Sequence, residues 1–404
     1  MAILPALRHR APVPARSPLP RFLALYAALF AAFGVASPFM PALLMQDGLG
    51  PGALGVVLAG GTAVRLLAGP LGGRLADRGG RAPAVLAGFA AAAAAVALGY
   101  VPARGLAPLL LVSVAHAAVL APLTPVADAL ALGSATARPG FEYGWVRAAG
   151  SGAFILGALL SGQMVERAGL GVVVWLNAAL LALAACVAWA VPNRVAGTRP
   201  AVDARAGPGP LRALLAIPVF VHLMAVVALV GGSHAMHDGF EVIRWRAAGL
   251  SATRCSLLWA LSVAAEVLVF LLLGRRLLER LGPARAVALS ALAGVVRWGT
   301  VAQTAWFPVL MAVGLLHGLT FALLHLACMD VIGRVVPARL AASAQAFYGT
   351  IAMGATAAAV TLASGPLYGR LGATAFWAMA AMCAVALPLA LGLRMPADEP
   401  RPQG

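Results

Sequence analysis

Gly73-Arg-Leu-Ala-Asp-Arg-Gly-Gly80 closes an apolar run at about 52 to 73, and the same punctuation returns three times. Gly162-Gln-Met-Val-Glu-Arg-Ala-Gly169 follows a run at about 143 to 165. Gly274-Arg-Arg-Leu-Leu-Glu-Arg-Leu-Gly282 follows one at 251 to 274, and Gly365-Pro-Leu-Tyr-Gly-Arg-Leu-Gly372 one at 343 to 366. Gly73 and Gly274 lie 201 positions apart, and Gly162 and Gly365 lie 203 apart. Helices often end on glycine with a cation in the last turn, but that habit does not by itself produce matched spacing. The pattern predicts two copies of one half, each built from two three-helix units.

Outward from these breaks, the apolar runs fall at about 21 to 44, 52 to 73, 82 to 102, 106 to 133, 143 to 165 and 170 to 191. After a polar stretch they resume at 213 to 236, 251 to 274, 285 to 305, 306 to 333, 343 to 366 and 373 to 394. Of the 404 residues, 62% are hydrophobic and 10% charged, where a soluble domain carries roughly 25% charged residues. A membrane-crossing helix takes about 20 apolar residues, so an all-α membrane protein of twelve transmembrane helices in two six-helix halves is expected. The expected organisation is a tail at 1–20, a first half at 21–191, a linker at 192–212, a second half at 213–394 and a tail at 395–404.

The net charge of +16 would suggest nucleic acid in a soluble protein. Here all 29 basic residues are Arg, and short cytoplasmic loops retain such charge. With the N-terminus in the cytoplasm, 20 Arg fall on cytoplasmic segments and six on the opposite side. Both termini are therefore expected inside a bacterial inner membrane, with lipid rather than nucleic acid as the large partner. The four cysteines are scattered singly, which is the wrong pattern for redox or zinc motifs.

Ionisable groups in hydrocarbon are costly and mark functional positions. They are Arg65, Asp128, Arg147, Glu266 and Arg297, with His116, His222, His234, His317 and His325. At about 1.5 Å per residue, Asp128 and Arg147 share a depth near the cytoplasmic ends of the fourth and fifth runs, where they can pair. Glu266, Arg297 and His325 lie deeper on the eighth to tenth runs, with His317 further out. Low dielectric opposes ionisation of a carboxyl while a guanidinium favours it, so separating such a pair moves a proton. Glu266 is the first candidate carrier, with Asp128 second, Arg297 as modulator, and His317 or His325 as relay. A permanent salt bridge between helices, and histidines that merely pack, are the alternatives. Three Arg against two carboxylates leave one positive charge for an anionic substrate. The segment Gly232-Ser-His-Ala-Met-His-Asp-Gly-Phe-Glu241 reads as a polar extracellular mouth rather than a metal site, having no HExxH-type spacing. No cofactor is expected.

Gly73-Arg-Leu-Ala-Asp77-Arg78-Gly-Gly80-Arg81 resembles the loop between helices two and three of major facilitator transporters. Several stretches are similar to the phenylpropionate permease family within that superfamily: Pro122-Leu-Thr-Pro-Val-Ala-Asp128, Tyr143-Gly-Trp-Val-Arg147, Val263-Ala-Ala-Glu266-Val, Gly294-Val-Val-Arg297-Trp298-Gly and Leu316-His317-Gly-Leu-Thr-Phe-Ala-Leu-Leu-His325. The resemblance spans essentially the whole chain and implies a proton-linked importer of an aromatic carboxylic acid that rocks one half on the other. By helix, Asp128, Arg147, Glu266, Arg297 and His317 also resemble the charge layout of lactose permease. No acidic residue stands beside His317, so the proton falls to Glu266 or Asp128. Arg147, Arg65, Asp128, Trp298 and Phe321 are expected at the substrate, with Trp145, Trp259 and Tyr348 as further aromatic candidates. Gly73, Asp77, Arg78, Gly80 and Arg81 are expected to latch a gate. The chain is expected to act as a monomer without enzymatic chemistry, importing a small organic anion with protons; the alternative is a proton-antiport exporter of drugs or metabolites.

Overall fold

The computed structural model describes residues 17–78, 80–137, 141–193 and 209–394, all helix and connecting turn. Much of both expected tails and of the 192–212 linker lies outside the described residues. Among the described residues, nine helical stretches are long and apolar enough to cross a membrane. In chain order the helices are α1 (Leu19–Ala36), α2 (Pro51–Arg78), α3 (Ala82–Leu98), α4 (Leu106–Thr136), α5 (Tyr143–Ala168) and α6 (Val172–Ala188). The second series is α7 (Pro218–Ala247), α8 (Ala252–Leu281), α9 (Pro283–Gln303), α10 (Phe307–Val335), α11 (338–371) and α12 (Phe376–Leu391). Helices α3 and α6 have only 17 residues each, or about 26 Å against a hydrocarbon thickness of about 30 Å. The final apolar stretch, Ala338–Leu391, runs 54 residues and contains a 3₁₀ turn at Gly372–Ala375. Helix length therefore does not deliver the count of twelve crossings by itself.

The first run is not one helix: α1 stops at Ala36, and a short helix, Met40–Gln46, follows. Asp47, in the turn beyond it, pairs with Arg104 at 3.5 Å. Burial pushes its carboxyl above the ordinary range, and Arg104 opposes the shift. Large apolar side chains such as Leu67, Leu111, Leu156, Leu271 and Leu391 remain on the outer surface, which suits lipid and would be a liability in water.

Packing follows the repeat. Helix α3 lies on α6, and the corresponding α9 lies on α12; between the two series, α2 packs on α11 and α5 on α8. One buried core holds only residues between Phe22 and Val191, whereas the other joins residues of both series, from Val35 to Leu393. The contacts between series are tightest where a glycine lets backbones approach. A Cβ on Gly55 would stand 3.0 Å from Cα of Gly365, and one on Gly365 only 2.6 Å from the carbonyl oxygen of Pro51. At the far ends of α2 and α8, Arg74, Asp77, Arg78, Arg275 and Arg280 are exposed.

Four π-helical turns interrupt the second series: His237–Glu241 in α7, Val269–Leu273 in α8, Gly318–Leu323 in α10 and Tyr348–Ala355 in α11. Each widens its helix by a residue, which re-aims side chains and is common at functional positions.

Candidate functional site

A cavity of about 740 Å³ lies between the two series. On the first-series wall stands Arg65 of α2, exposed to the cavity. Among the described residues it has no hydrogen bond or ion pair. Around it the wall is aromatic and sparingly polar. Tyr100 donates to Ser113 Oγ at 3.2 Å and meets the ring of His116 edge-on at 5.7 Å. Two polar atoms of this wall, His116 Nε2 and Asn177 Oδ1, are buried without a hydrogen-bond partner. Phe33 and Phe154 complete the apolar surface.

The opposite wall carries His234, His237 and Asp238 of α7, Trp259 of α8, and His317 and Phe321 of α10. Thus His234, His237 and Glu241 do not form a solvated mouth: all three are buried, and only Asp238 of this group is exposed, into the cavity. The π-helical turn puts His237 Nδ1 against the Glu241 carboxylate and lays its ring flat on Trp259, with centroids 4.7 Å apart. His234 contacts the Val230 carbonyl at 3.1 Å through Nδ1 and the Thr320 hydroxyl at 3.0 Å through Nε2.

Behind this wall lies Arg297, 1% exposed. It donates to His317 Nδ1 at 2.8 Å, reaches His237 Nδ1 at 3.5 Å, and stacks on the Trp298 ring at 4.2 Å. His317 Nε2 in turn lies 3.5 Å from Glu266. The expected direct pairing of Glu266 with Arg297 is therefore replaced by a bridge through one imidazole. Gly318 makes the bridge possible, since a Cβ there would stand 2.6 Å from the Ala265 carbonyl oxygen. The close approach of α10 to α8 brings His317 to Glu266. His325 is engaged elsewhere, 3.0 Å from the Tyr348 hydroxyl.

Trp298 does not reach the cavity. It is fully buried, spends its N–H on Ser233 Oγ at 2.9 Å, and gives its face to Arg297. Trp145, likewise, is exposed and absent from the cavity lining. Asp128 and Arg147 meet at 3.6 Å but stand apart from the cavity lining. Asp128 also accepts hydrogen bonds from Tyr26 and, at 2.8 Å, from Tyr143. Arg147 lies over the Phe30 ring at 5.4 Å. Of the expected latch, α2 carries Gly73, Asp77 and Arg78 to its end, and Gly80 accepts a hydrogen bond from Asn193 before Arg81 opens α3. Asp77, Arg78 and Arg81 have no ion pair among the described residues.

The family model described as the MFS_1 like family matches residues 20–379. The chain belongs to that family. It is 33% identical over 380 residues, 91% of this chain and 95% of the relative, to a protein of Escherichia coli (strain K12) named probable 3-phenylpropionic acid transporter. It is 25% identical over 367 residues to the maltose permease of Geobacillus stearothermophilus, covering 90% of this chain and 91% of that one. Its fold matches the nucleoside transporter NupG with a TM-score of 0.76 at 14% identity, over 94% and 98% of the two chains. A bacterial homologue of the lysosomal transporter Spinster, solved inward-facing and unoccupied, matches with a TM-score of 0.68 at 15% identity, over 93% and 95%. The family relationship and the apolar helices together make the chain a multi-pass membrane transporter of the major facilitator type. Tyr26, Tyr143, His237 and Glu241 were not singled out by sequence as site residues. Only the run of ionisable groups at 234–241 drew attention to its region.

Proposed function

We propose that the chain imports a small aromatic carboxylate, such as 3-phenylpropionate, across a bacterial inner membrane together with protons. The observation that carries this is Arg65: a cation open to the cavity, without an acidic partner among the described residues, in walls of Phe33, Tyr100, Phe154, Trp259 and Phe321. A guanidinium binds a carboxylate in bidentate geometry. Aromatic faces then hold the ring. The E. coli relative's name supports the same substrate class.

Glu266 is the proposed proton carrier. It retains partial exposure, and His317 connects it to the fixed charge of Arg297. Substrate touching the His317 wall of the cavity would thereby alter the field at Glu266, which is the physical requirement for coupling. The gate is proposed to open toward the cytoplasm, with both termini on that side. The closest backbone approach of α2 to α11 is at Gly55 and Gly365, while Asp77, Arg78 and Arg81 at the other end are unpaired among the described residues. Asp128 with Arg147 is proposed to act at that opening, as a second carboxylate on the substrate route.

Uptake of labelled 3-phenylpropionate into proteoliposomes under an imposed pH gradient tests the proposal. Gradient-driven accumulation is expected, and at low substrate concentration it should fall sharply in Arg65→Gln. Accumulation that survives collapse of the gradient removes the proton, and equal uptake by Arg65→Gln removes the carboxylate anchor.

A further inference from the structure

Coupling through Glu266 leaves the most deeply buried carboxylate of the second series without a task. Glu241 is 3% exposed at its side chain and lies against His237 Nδ1. Arg297 is sealed equally well, yet no carboxylate comes within 4 Å of it among the described residues. Its neighbours are His317, His237 and the Trp298 ring. A guanidinium does not shed its proton in proteins, and a buried charge without compensation is strongly unfavourable. Three acids lie near these imidazoles, and the first, Asp238, stands 4.0 Å from His237 Nε2 but is 69% exposed. Glu266, beyond His317, keeps 24% exposure, whereas Glu241, against the same His237 Nδ1 that Arg297 reaches, has almost none. An acid that exchanges protons with water needs access, whereas a permanent counter-charge does not.

We propose that Glu241, which meets the same His237 nitrogen that Arg297 reaches, is the standing counter-ion of Arg297, and that this leaves Glu266 free to gain and lose its proton. Glu241 is thus a positioning residue, in a role that rests on Glu266 being the carrier. The π-helical turn His237–Glu241 presents both groups of this arm, and Trp259 of α8 fixes the imidazole plane by stacking. The other ionisable groups on this part of α7 are Asp238, 4.0 Å from His237, and Arg244, whose charge acts on Tyr368 of α11; those around Glu266 are His317 and His325 of α10 and Arg147 of α5. Arg244 is the rival cation. It donates to the Thr304 carbonyl at 2.9 Å, lies over Phe376, and makes no ion pair with Glu241 within 4 Å.

The purified full-length protein in detergent tests this without any substrate. Glu241→Gln should lower the unfolding temperature, and adding Arg297→Gln should recover most of the loss because the orphaned charge leaves too. If Glu241→Gln alone cannot be purified, return of a purifiable protein in the double variant is the same result. Losses that simply add, or recovery by Arg244→Gln in place of Arg297→Gln, overturn the proposal. The infrared C=O band that Glu266→Gln abolishes supplies the second measurement. In Glu241→Gln the remaining acid inherits Arg297, so this band should appear only at proton concentrations about tenfold higher, one pH unit lower, and Glu241→Asp should restore it. A band that does not move overturns the counter-ion role while leaving Glu266 as carrier. Absence of any titrating band lost in Glu266→Gln sinks the carrier itself, and the counter-ion role with it.

Discussion

Asp128 in the first series keeps 27% exposure, has Arg147 at 3.6 Å and takes hydrogen bonds from two tyrosines; Arg297 in the second is 1% exposed and meets Glu266 only through the His317 imidazole. The first pair sits where water competes, so it is worth little to stability and separates cheaply. The second cluster is sealed by aromatic rings, so any change in its charge is felt by neighbouring helices. Open pairs suit groups that must let go of a ligand or a gate. A sealed cation suits a fixed charge against which a better exposed acid, here Glu266, gains and loses its proton. The π-helical turns follow the same division, since all those found among the described residues lie in the second series.

The sharpest way to break this division is Glu266→Gln. Gradient-driven accumulation of 3-phenylpropionate should be lost, while exchange of labelled for unlabelled substrate across equilibrated vesicles persists. Loss of both activities equally would make Glu266 a structural residue instead. Arg65→Gln comes next. Removing a charged hydrogen-bonding anchor costs about 1.5–3 kcal/mol, so KM should rise roughly tenfold to a hundredfold with the proton dependence retained. An unchanged KM would move the anchor to another group.

Gly318→Val probes the packing that joins His317 to Glu266. Overfilling a close helix contact costs about 1–3 kcal/mol, and the wedge against the Ala265 carbonyl should impair proton-driven uptake more than exchange. Equal loss of the two would show that the bridge geometry is not what Gly318 protects. Tyr143→Phe should be mildest, because Asp128 keeps Tyr26 and Arg147. A stability change of about 0.5–1.5 kcal/mol, read by thermal unfolding, fits the exposed character of that cluster; a collapse of folding would contradict it.

Much of this molecule was legible without coordinates. The apolar runs, the repeated Gly and Arg breaks and the buried ionisable residues follow from the cost of polar groups in hydrocarbon, which acts on each helix separately. That physics placed Arg65, Glu266, Arg297 and His317 among the functional candidates. It did not anticipate that α1 ends at Ala36, nor that α3 and α6 are short, because an apolar run does not reveal where the chain turns inside it. The segment 234–241 looked like a polar mouth, since ionisable residues near a helix end usually face water.

Sequence alone determined that this chain lives in a bilayer and which charges the bilayer would have to tolerate, and its family resemblance pointed to a helical transporter. Tertiary structure decided who meets whom. Imidazole insertion between Arg297 and Glu266, the tyrosines on Asp128, and the burial of Glu241 depend on π-helical turns and on glycine contacts between helices remote in sequence. Such contacts are set by mutual fit across the fold, and periodicity within one helix carries no record of them.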